Sequence, residues 1–502
     1  MKLFLLIYFL IFPFFTIYPA QEEKVKVLYS SLNPSSISEH LAFIYLYKDT
    51  NMGETALRHL YQLLKIKCDN LKDLAAPPLD PNLWLSLICQ ENISDKVSFS
   101  GNVLKDLSRL GAHLGNRKLQ GNLAQTENEI LNLPEDQIDL ARAVLLNSLD
   151  GSIESVYYYE ILLDLMALEI ASTLPANASP PEKIEAINSF VFDKMRFRFP
   201  PQSVQSMDRY TLLPSVMDSR RGVCLGVSIL YLSLAQRLDL SLEAVTPPGH
   251  IYLRYLDNGR EINIETTARG VHVDTDHYLN PFTIALETHS IKEVVGLAEI
   301  NRGSYYLKKG RYEEALNAYR KAENYLPDYS SLQEMLGFTN ALLGRKEEAY
   351  YCLQKAASNP SKFYLHNNTI AEDFLLKRVD EEALHLLCSD ESETRSDLVK
   401  QKTKLEDLLK KFPNFYSGYF LMAELYSKMN RPGETLDWLE KYHQLDNRHP
   451  ISAFYLSALF LERSHYLKAW DYFRQYESLT AHLKPSKEVK SLKKALEGAS
   501  PS

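Results

Sequence analysis

Three residues in the middle of the chain have the types and spacing that thiol acyl chemistry needs: Cys224, His250 and Glu265. Cys224 stands in "RRGVCLGVSILYLSLAQRL", between a small-residue turn and an apolar helical run. A buried cysteine is an inert small hydrophobe, whereas a thiol at a helix N-terminus lies at the positive end of the backbone dipole, which favours the thiolate. A nucleophilic thiol also needs a histidine to exchange its proton and a third group to hold the imidazole. Downstream, "PPGHIYLRYLDNGREINIETTARG" predicts a β-hairpin, because Asn258-Gly259 suits a two-residue type I′ turn. That turn pairs Asp257 with Arg260, Tyr252 with Glu265 and His250 with Thr267. His250 and Glu265 then project from one face as diagonal neighbours, together with Tyr252, Arg254 and Asn263. Ile251, Leu253, Tyr255, Ile262 and Ile264 take the other, apolar face. A turn one residue longer would reverse the faces and separate the pair. The Cys224 backbone N–H is the default oxyanion donor, with the side chains of Gln202 and Gln205 as further candidates. "HVDTDHY", with His272, Asp274, Asp276 and His277, has the irregular spacing of a surface loop rather than of a metal site. Neither a metal nor a cofactor is expected.

The elements that must position these residues follow from the rest of the chain. Its 502 residues are too many for one core. A net charge of −8 argues against a nucleic-acid binder, which needs a surplus of Lys and Arg to displace phosphate counterions. Residues 1–20, "MKLFLLIYFLIFPFFTIYPA", have the charged start, apolar middle and small-residue exit of a signal peptide, or form an N-terminal anchor. An exported protein, periplasmic or secreted, is the expectation. Residues 21–129 read as a helical region without recognisable chemistry, and after it come further helical patterns, the Cys224 helix and three short strand-like runs. Of five cysteines, Cys68 with Cys89 and Cys352 with Cys388 are the sequence-near pairs, either bridged or unpaired on helices, and Cys224 is left over.

From about 296 the chain repeats with a period of 34 residues: Gly303 aligns with Gly337, Gly310 with Gly344, Ala315 with Ala349 and Ala322 with Ala356. These small residues mark the close approach of antiparallel helices, while Tyr306, Tyr312 and Tyr319 fall on large-residue positions. Two repeats span 296–363, an irregular helical region 364–415, and two degenerate repeats 416–483, with Ala423, Tyr426, Tyr466, Ala469 and Phe473 in phase. Residues 484–502 form a tail. Because such pairs pack only on their neighbours, the array is expected to fold without the thiol core and to bind a protein or peptide on its concave face.

The order of Cys at a helix start, His on a strand and an acid on the next, in "RRGVC", "PPGH" and "NIETT", resembles the transglutaminase-like superfamily, and more closely its bacterial branch fused to tetratricopeptide repeats. The resemblance implies an α+β thiol core over 130–295, a helix packed on a small antiparallel sheet, followed by an α-solenoid, with Cys224 as nucleophile, His250 as base and Glu265 as orienting acid. Most members carry Asp at the third position, and relatives in this branch often have Pro in place of the cysteine. The implied activity is attack on an amide or peptide carbonyl, with hydrolysis slightly ahead of amine transfer. The other reading is a non-catalytic repeat scaffold around a relic core.

Overall fold

The computed structural model describes residues 19–64, 111–149, 151–201, 208–257, 259–365, 369–387 and 394–499. Gln202, Gln205, Asn258, Cys68, Cys89, Cys388 and residues 1–18 lie outside them, and the expected cut after Ala20 falls within the first described helix, α1 (Pro19–Ser30).

The chain divides into two compact units. The first comprises residues up to 117 together with 157–187. In it, α2 (Ile37–Tyr47) and α3 (Asn51–Leu63) form a helical hairpin, and Ser36 caps α2 by accepting from the Glu39 N–H. The buried Glu169 carboxylate accepts from the Ser36 and Ser38 hydroxyls at 2.8 and 3.1 Å, which satisfies a charge that burial would otherwise penalise.

The second unit, 118–156 and 188–502, holds the candidate chemistry. After the short α4 (Glu127–Leu131) and α5 (Leu140–Ser148), the chain passes through α6 (Ile153–Ser172) and α7 (Pro180–Asn188) and returns as α8 (Leu213–Ser219) and α9 (Cys224–Arg237). Helix α9 is apolar nearly all round, so it is buried nearly all round, against α5, α8 and the sheet. The sheet has strands β1 (Glu243–Thr246), β2 (Tyr252–Asp257), β3 (Arg260–Ile264) and β4 (Glu287–His289), antiparallel in the order β3-β2-β1-β4.

The hairpin has the expected register, from Asp257 opposite Arg260 to Leu253 opposite Ile264. It stops there. The expected pairs Tyr252–Glu265 and His250–Thr267 do not form, because the Glu265 N–H donates instead to Val271 O at 3.0 Å and the His250 N–H closes a turn onto Pro247 O at 3.0 Å. The polar face also differs from the expected open one. Tyr252 and Asn263 are fully buried there, because the segment 271–278 folds over them, with Asn263 Nδ2 donating to Val273 O at 2.9 Å and Thr275 Oγ1 at 3.0 Å.

Beyond the sheet come α10 (Ile291–Lys308), α11 (Tyr312–Tyr325), α12 (Ser330–Leu342), α13 (Lys346–Ser358), α14 (Thr369–Leu375), α15 (Glu381–Leu387), α16 (Arg395–Lys411), α17 (Tyr416–Lys428), α18 (Pro432–Leu445), α19 (Pro450–Glu462), α20 (Tyr466–Leu479) and α21 (Lys487–Ala499). Each pair α10–α11, α12–α13, α14–α15, α17–α18 and α19–α20 turns through one left-handed residue: Gly310, Gly344, Lys377, Asn430 and Ser464. Their spacings are 34, 33, 53 and 34 residues, and the long one is a 34-residue repeat plus 19, the space taken by α16. This extra helix accounts for the irregular stretch that the sequence shows near 364–415.

The array is not the free-standing body that the repeat pattern suggests. Helix α10 packs on α5, and its buried Arg302 donates to Asn147 O of α5 while lying 2.6 Å from Glu299. The first repeat helix is therefore also a wall of the thiol core. The small residues do mark close approach: a Cβ on Gly303 would lie 2.5 Å from the Tyr319 ring, and one on Gly337 2.5 Å from Leu353. Gly303→Leu should accordingly cost ~1–3 kcal/mol or more by overpacking. Because α10 is shared, chemical denaturation of the full chain should show that loss in the core's transition too, whereas an array that unfolds alone would leave the core midpoint unchanged.

Candidate active site

Two glycines set the start of α9. A Cβ on Gly226 would lie 2.2 Å from Tyr210 O, so a glycine there lets this turn press on residues 210–211, while one on Gly222 would lie 2.6 Å from Val227 Cγ2 and 3.2 Å from Val216 Cγ1. Cys224 is the first helical residue, after Val223 in extended conformation. The first N–H in the turn with an intrahelical partner is that of Val227, bonded to Val223 O at 3.0 Å, so the N–H groups of Cys224 and its two successors point out of the helix end without an intrahelical acceptor.

His250 Nε2 lies 2.7 Å from Glu265 Oε2, and the same imidazole faces the Cys224 side chain closely enough for the thiol to help raise the ring's pKa. The Nε2 contact leaves Nδ1 for the thiol. The structure thus brings together all three residues singled out in the sequence, half-buried Cys224 and His250 and a Glu265 carboxylate that is 9% exposed.

Glu265 has more partners than its sequence neighbourhood reveals. Its Oε2 also accepts from the Tyr278 hydroxyl at 2.7 Å, and its Oε1 accepts from the Thr267 N–H at 3.1 Å and the Thr267 hydroxyl. Burial on its own would raise this carboxyl's pKa, but the hydrogen bonds from His250, Thr267 and Tyr278 outweigh it and hold the group down at about 2. For His250, burial favours the neutral ring, yet the hydrogen bonds to Cys224 and Glu265 and their charges prevail and raise it to about 9. The Tyr278 ring stacks near-parallel on His250 at 6.0 Å and on Tyr252 at 4.2 Å between centroids.

Tyr278, Thr267 and the residues behind them escaped the sequence reading. Tyr278 ends the "HVDTDHY" segment, which has exposed residues, as expected, and also covers the sheet: His272 Nδ1 accepts from the Asn263 N–H at 3.0 Å, and Thr275 bonds Glu261. Asn263 therefore anchors a loop, as does Glu261. Among the described residues no His, Cys, Asp and Glu cluster could hold a metal. Two buried polar links tie the Glu265 turn to the cysteine helix. Ser228 Oγ lies 3.2 Å from Thr266 Oγ1, and the Tyr231 hydroxyl donates to Asn188 Oδ1 at 3.0 Å, whose amide donates to Gly270 O at 3.3 Å. No signal local to these residues marks them, since each is a polar residue in an ordinary helix or turn.

Residues 158–315 match the family described as the transglutaminase-like superfamily. The match contains Cys224, His250 and Glu265, and it extends through α10 into α11, in agreement with α10 being part of the core. No curated protein matches the chain. Among solved structures, the chain is similar to a tetratricopeptide repeat protein from Parabacteroides merdae, with 14% identity over 71% of this chain and 98% of that one and a TM-score of 0.21. It is also similar to the P58(IPK) TPR domain, with 12% identity over 95% and 97% and a TM-score of 0.19, and to the MamA protein, with 15% identity over 37% and 92% and a TM-score of 0.19. Scores this low carry no argument, and the repeat architecture rests on the helix pairs of the chain itself.

Among the described cysteines, Cys224 and Cys352 are free thiols, and burial raises the Cys352 pKa. Iodoacetamide followed by peptide mapping should modify Cys224 well before Cys352 at neutral pH. His250→Ala should slow the Cys224 reaction sharply while leaving Cys352 unchanged, and equal rates in the wild type would show that the His250 contact does not activate the thiol.

Proposed function

We propose that this chain is a transglutaminase-like cysteine enzyme acting on amide or peptide bonds through an acyl-thioester on Cys224. The observation that supports it is the placement of one imidazole between the Cys224 thiol and a Glu265 carboxylate held ionised by its neighbours. The reactive form of the pair is a Cys224 thiolate beside a His250 imidazolium. The thiolate attacks the carbonyl carbon, and the oxyanion gathers at the α9 N-terminus, where the Cys224 N–H is the nearest backbone donor. His250 then gives its proton to the leaving nitrogen as the C–N bond breaks and the thioester remains. Water, or an amine, attacks the thioester while His250 takes the proton, and the acid or the new amide leaves with the thiolate and imidazolium restored. Hydrolysis is the favoured outcome, since water is always at hand. Glu265 keeps its charge throughout, orienting the ring and stabilising its cationic form.

The reading includes export, on the strength of the apolar run in residues 1–20, and recruitment of a protein by the repeats. With p-nitrophenyl acetate as a minimal acyl donor, intact-mass analysis should find one acetyl group on Cys224 in the wild type and none on Cys224→Ala. An equal adduct on both, or none on either, would refute the enzyme and favour the scaffold.

The titration behaviour has a fixed sign. His250 has its pKa raised to about 9, so the imidazolium is present below that value and lost as pH rises through it, while Glu265, at about 2, stays charged across the whole range. Nitrogen-15 NMR of labelled histidine should show His250 losing its proton near pH 9. In Glu265→Gln the midpoint should move to lower pH, because the anion that stabilises the cation is gone. An unmoved midpoint would mean that Glu265 does not hold the imidazolium.

A further inference from the structure

A groove of about 1120 Å³ lies along the helical array. Its lining includes Pro248, two residues before His250 on the same turn, and Ile370, Phe420, Tyr455 and Leu459, all partly exposed or exposed. Its acidic residues are Glu334, Glu372, Glu424 and Glu462, against Lys428. Glu372 lies 3.5 Å from Arg448 and Glu334 has interactions of its own, and Glu424 with Glu462 still outnumber Lys428.

The array already grips one extended segment, the chain's own. Between β3 and β4 the chain enters the array: the Leu365 N–H donates to Phe282 O at 2.9 Å, the Ile284 N–H donates to Phe363 O at 2.7 Å, and Thr283 forms an antiparallel bridge with Tyr364. The Tyr476 hydroxyl donates to Pro281 O at 2.8 Å, and the Phe282 ring packs 5.9 Å from Phe454 and 6.0 Å from Tyr455. Main-chain bonds plus an aromatic anchor are the means by which helical arrays and sheet edges hold extended polypeptide. Phe282 and Asn280 also line the groove, so the empty part continues from a filled part of the same kind.

We propose that this groove holds an extended, lysine- or arginine-bearing stretch of the polypeptide substrate and leads it past Pro248 to Cys224. The inference rests on the cysteine-enzyme reading and adds the substrate class to it. Apolar side chains of the substrate lie against Ile370, Phe420, Tyr455 and Leu459 and its cations face Glu424 and Glu462, whose field favours basic sequences and weakens with added salt.

Binding and chemistry are separated by two measurements on the full chain. Fluorescence anisotropy on Cys224→Ala with a fluorescein-labelled peptide of alternating lysine and leucine should show binding about tenfold or more tighter than with the matching glutamate–leucine peptide. Glu424→Lys with Glu462→Lys, both exposed, should remove that preference. In the wild type, a p-nitrophenyl ester of the lysine–leucine peptide should acylate Cys224 faster than p-nitrophenyl acetate does. The double substitution should cancel this advantage, while its far-UV circular dichroism matches that of the wild type and reports that the variant is folded. Equal binding of the two peptides, or a preference that survives the double substitution, overturns the groove assignment. Basic-peptide binding with no acylation by acetate supports the groove as a binding site and sinks the enzyme instead.

Discussion

A carboxylate in a nearly dry site can stay charged only where donors replace its lost hydration, and the thiol site depends on that constraint at Glu265. His250, Tyr278 and Thr267 supply those donors, and they come from three places: the turn before β2, the loop that covers the sheet, and the short 3-10 turn that Glu265 itself begins. Each donor is thereby fixed relative to the others. The imidazole has one nitrogen committed to the carboxylate and only one left, so its orientation toward Cys224 follows from the charge on Glu265 rather than from packing alone. The Tyr278 ring also lies near-parallel to the imidazole, 6.0 Å away between centroids.

The nucleophile is placed by independent means. Helix α9 is held by apolar burial and by the close approach that Gly222 and Gly226 allow at its start, while Ser228–Thr266 and Tyr231–Asn188–Gly270 set its height relative to the acid. Ser228 lies one helical turn after Cys224, on the same face, so a contact to Thr266 brings the residue next to Glu265 within one turn of the thiol. Gly270 has a positive φ of 74°, and a Cβ there would lie 2.1 Å from Asn188 Oδ1, so the return of the Glu265 turn can sit on Asn188 only as glycine.

These two arrangements explain what was legible in the sequence. Cys224, His250 and Glu265 were readable because a helix start and a two-residue hairpin turn are local codes with fixed geometry, and the register they imply is the one observed through Leu253 and Ile264. The last two pairs were not readable, because Glu265 leaves the ladder for Val271, and that choice is made by the donors in the loop it then caps. Tyr278 was hidden for the same reason: its partner is thirteen residues away through an irregular segment, with no period to follow. In the array, Gly310 and Gly344 displayed the repeat, but Lys377, Asn430 and Ser464 take the same left-handed position without a glycine, and α16 breaks the phase. Where backbone conformation repeats and residue type does not, sequence comparison loses the pattern first.

The boundary between core and array was the least legible feature, and its physical origin lies in α10. A capping box at Ser290 and Glu293 starts this helix directly after β4, and one of its faces follows the repeat spacing while another buries Arg302 against α5. One helix thus satisfies two packing partners, so a pattern that looks for repeats assigns it to the array although it closes the core. The excursion from β3 to β4 makes the same connection from the other side. Within that single stretch Glu265 holds the imidazole, Tyr278 bonds Glu265, and Phe282, four residues later, is lodged among Phe454 and Tyr455 of the array. Because the loop is pinned at both ends, the position of Tyr278 depends on the array as well as on the sheet, and the geometry of the acid belongs to both parts of the chain.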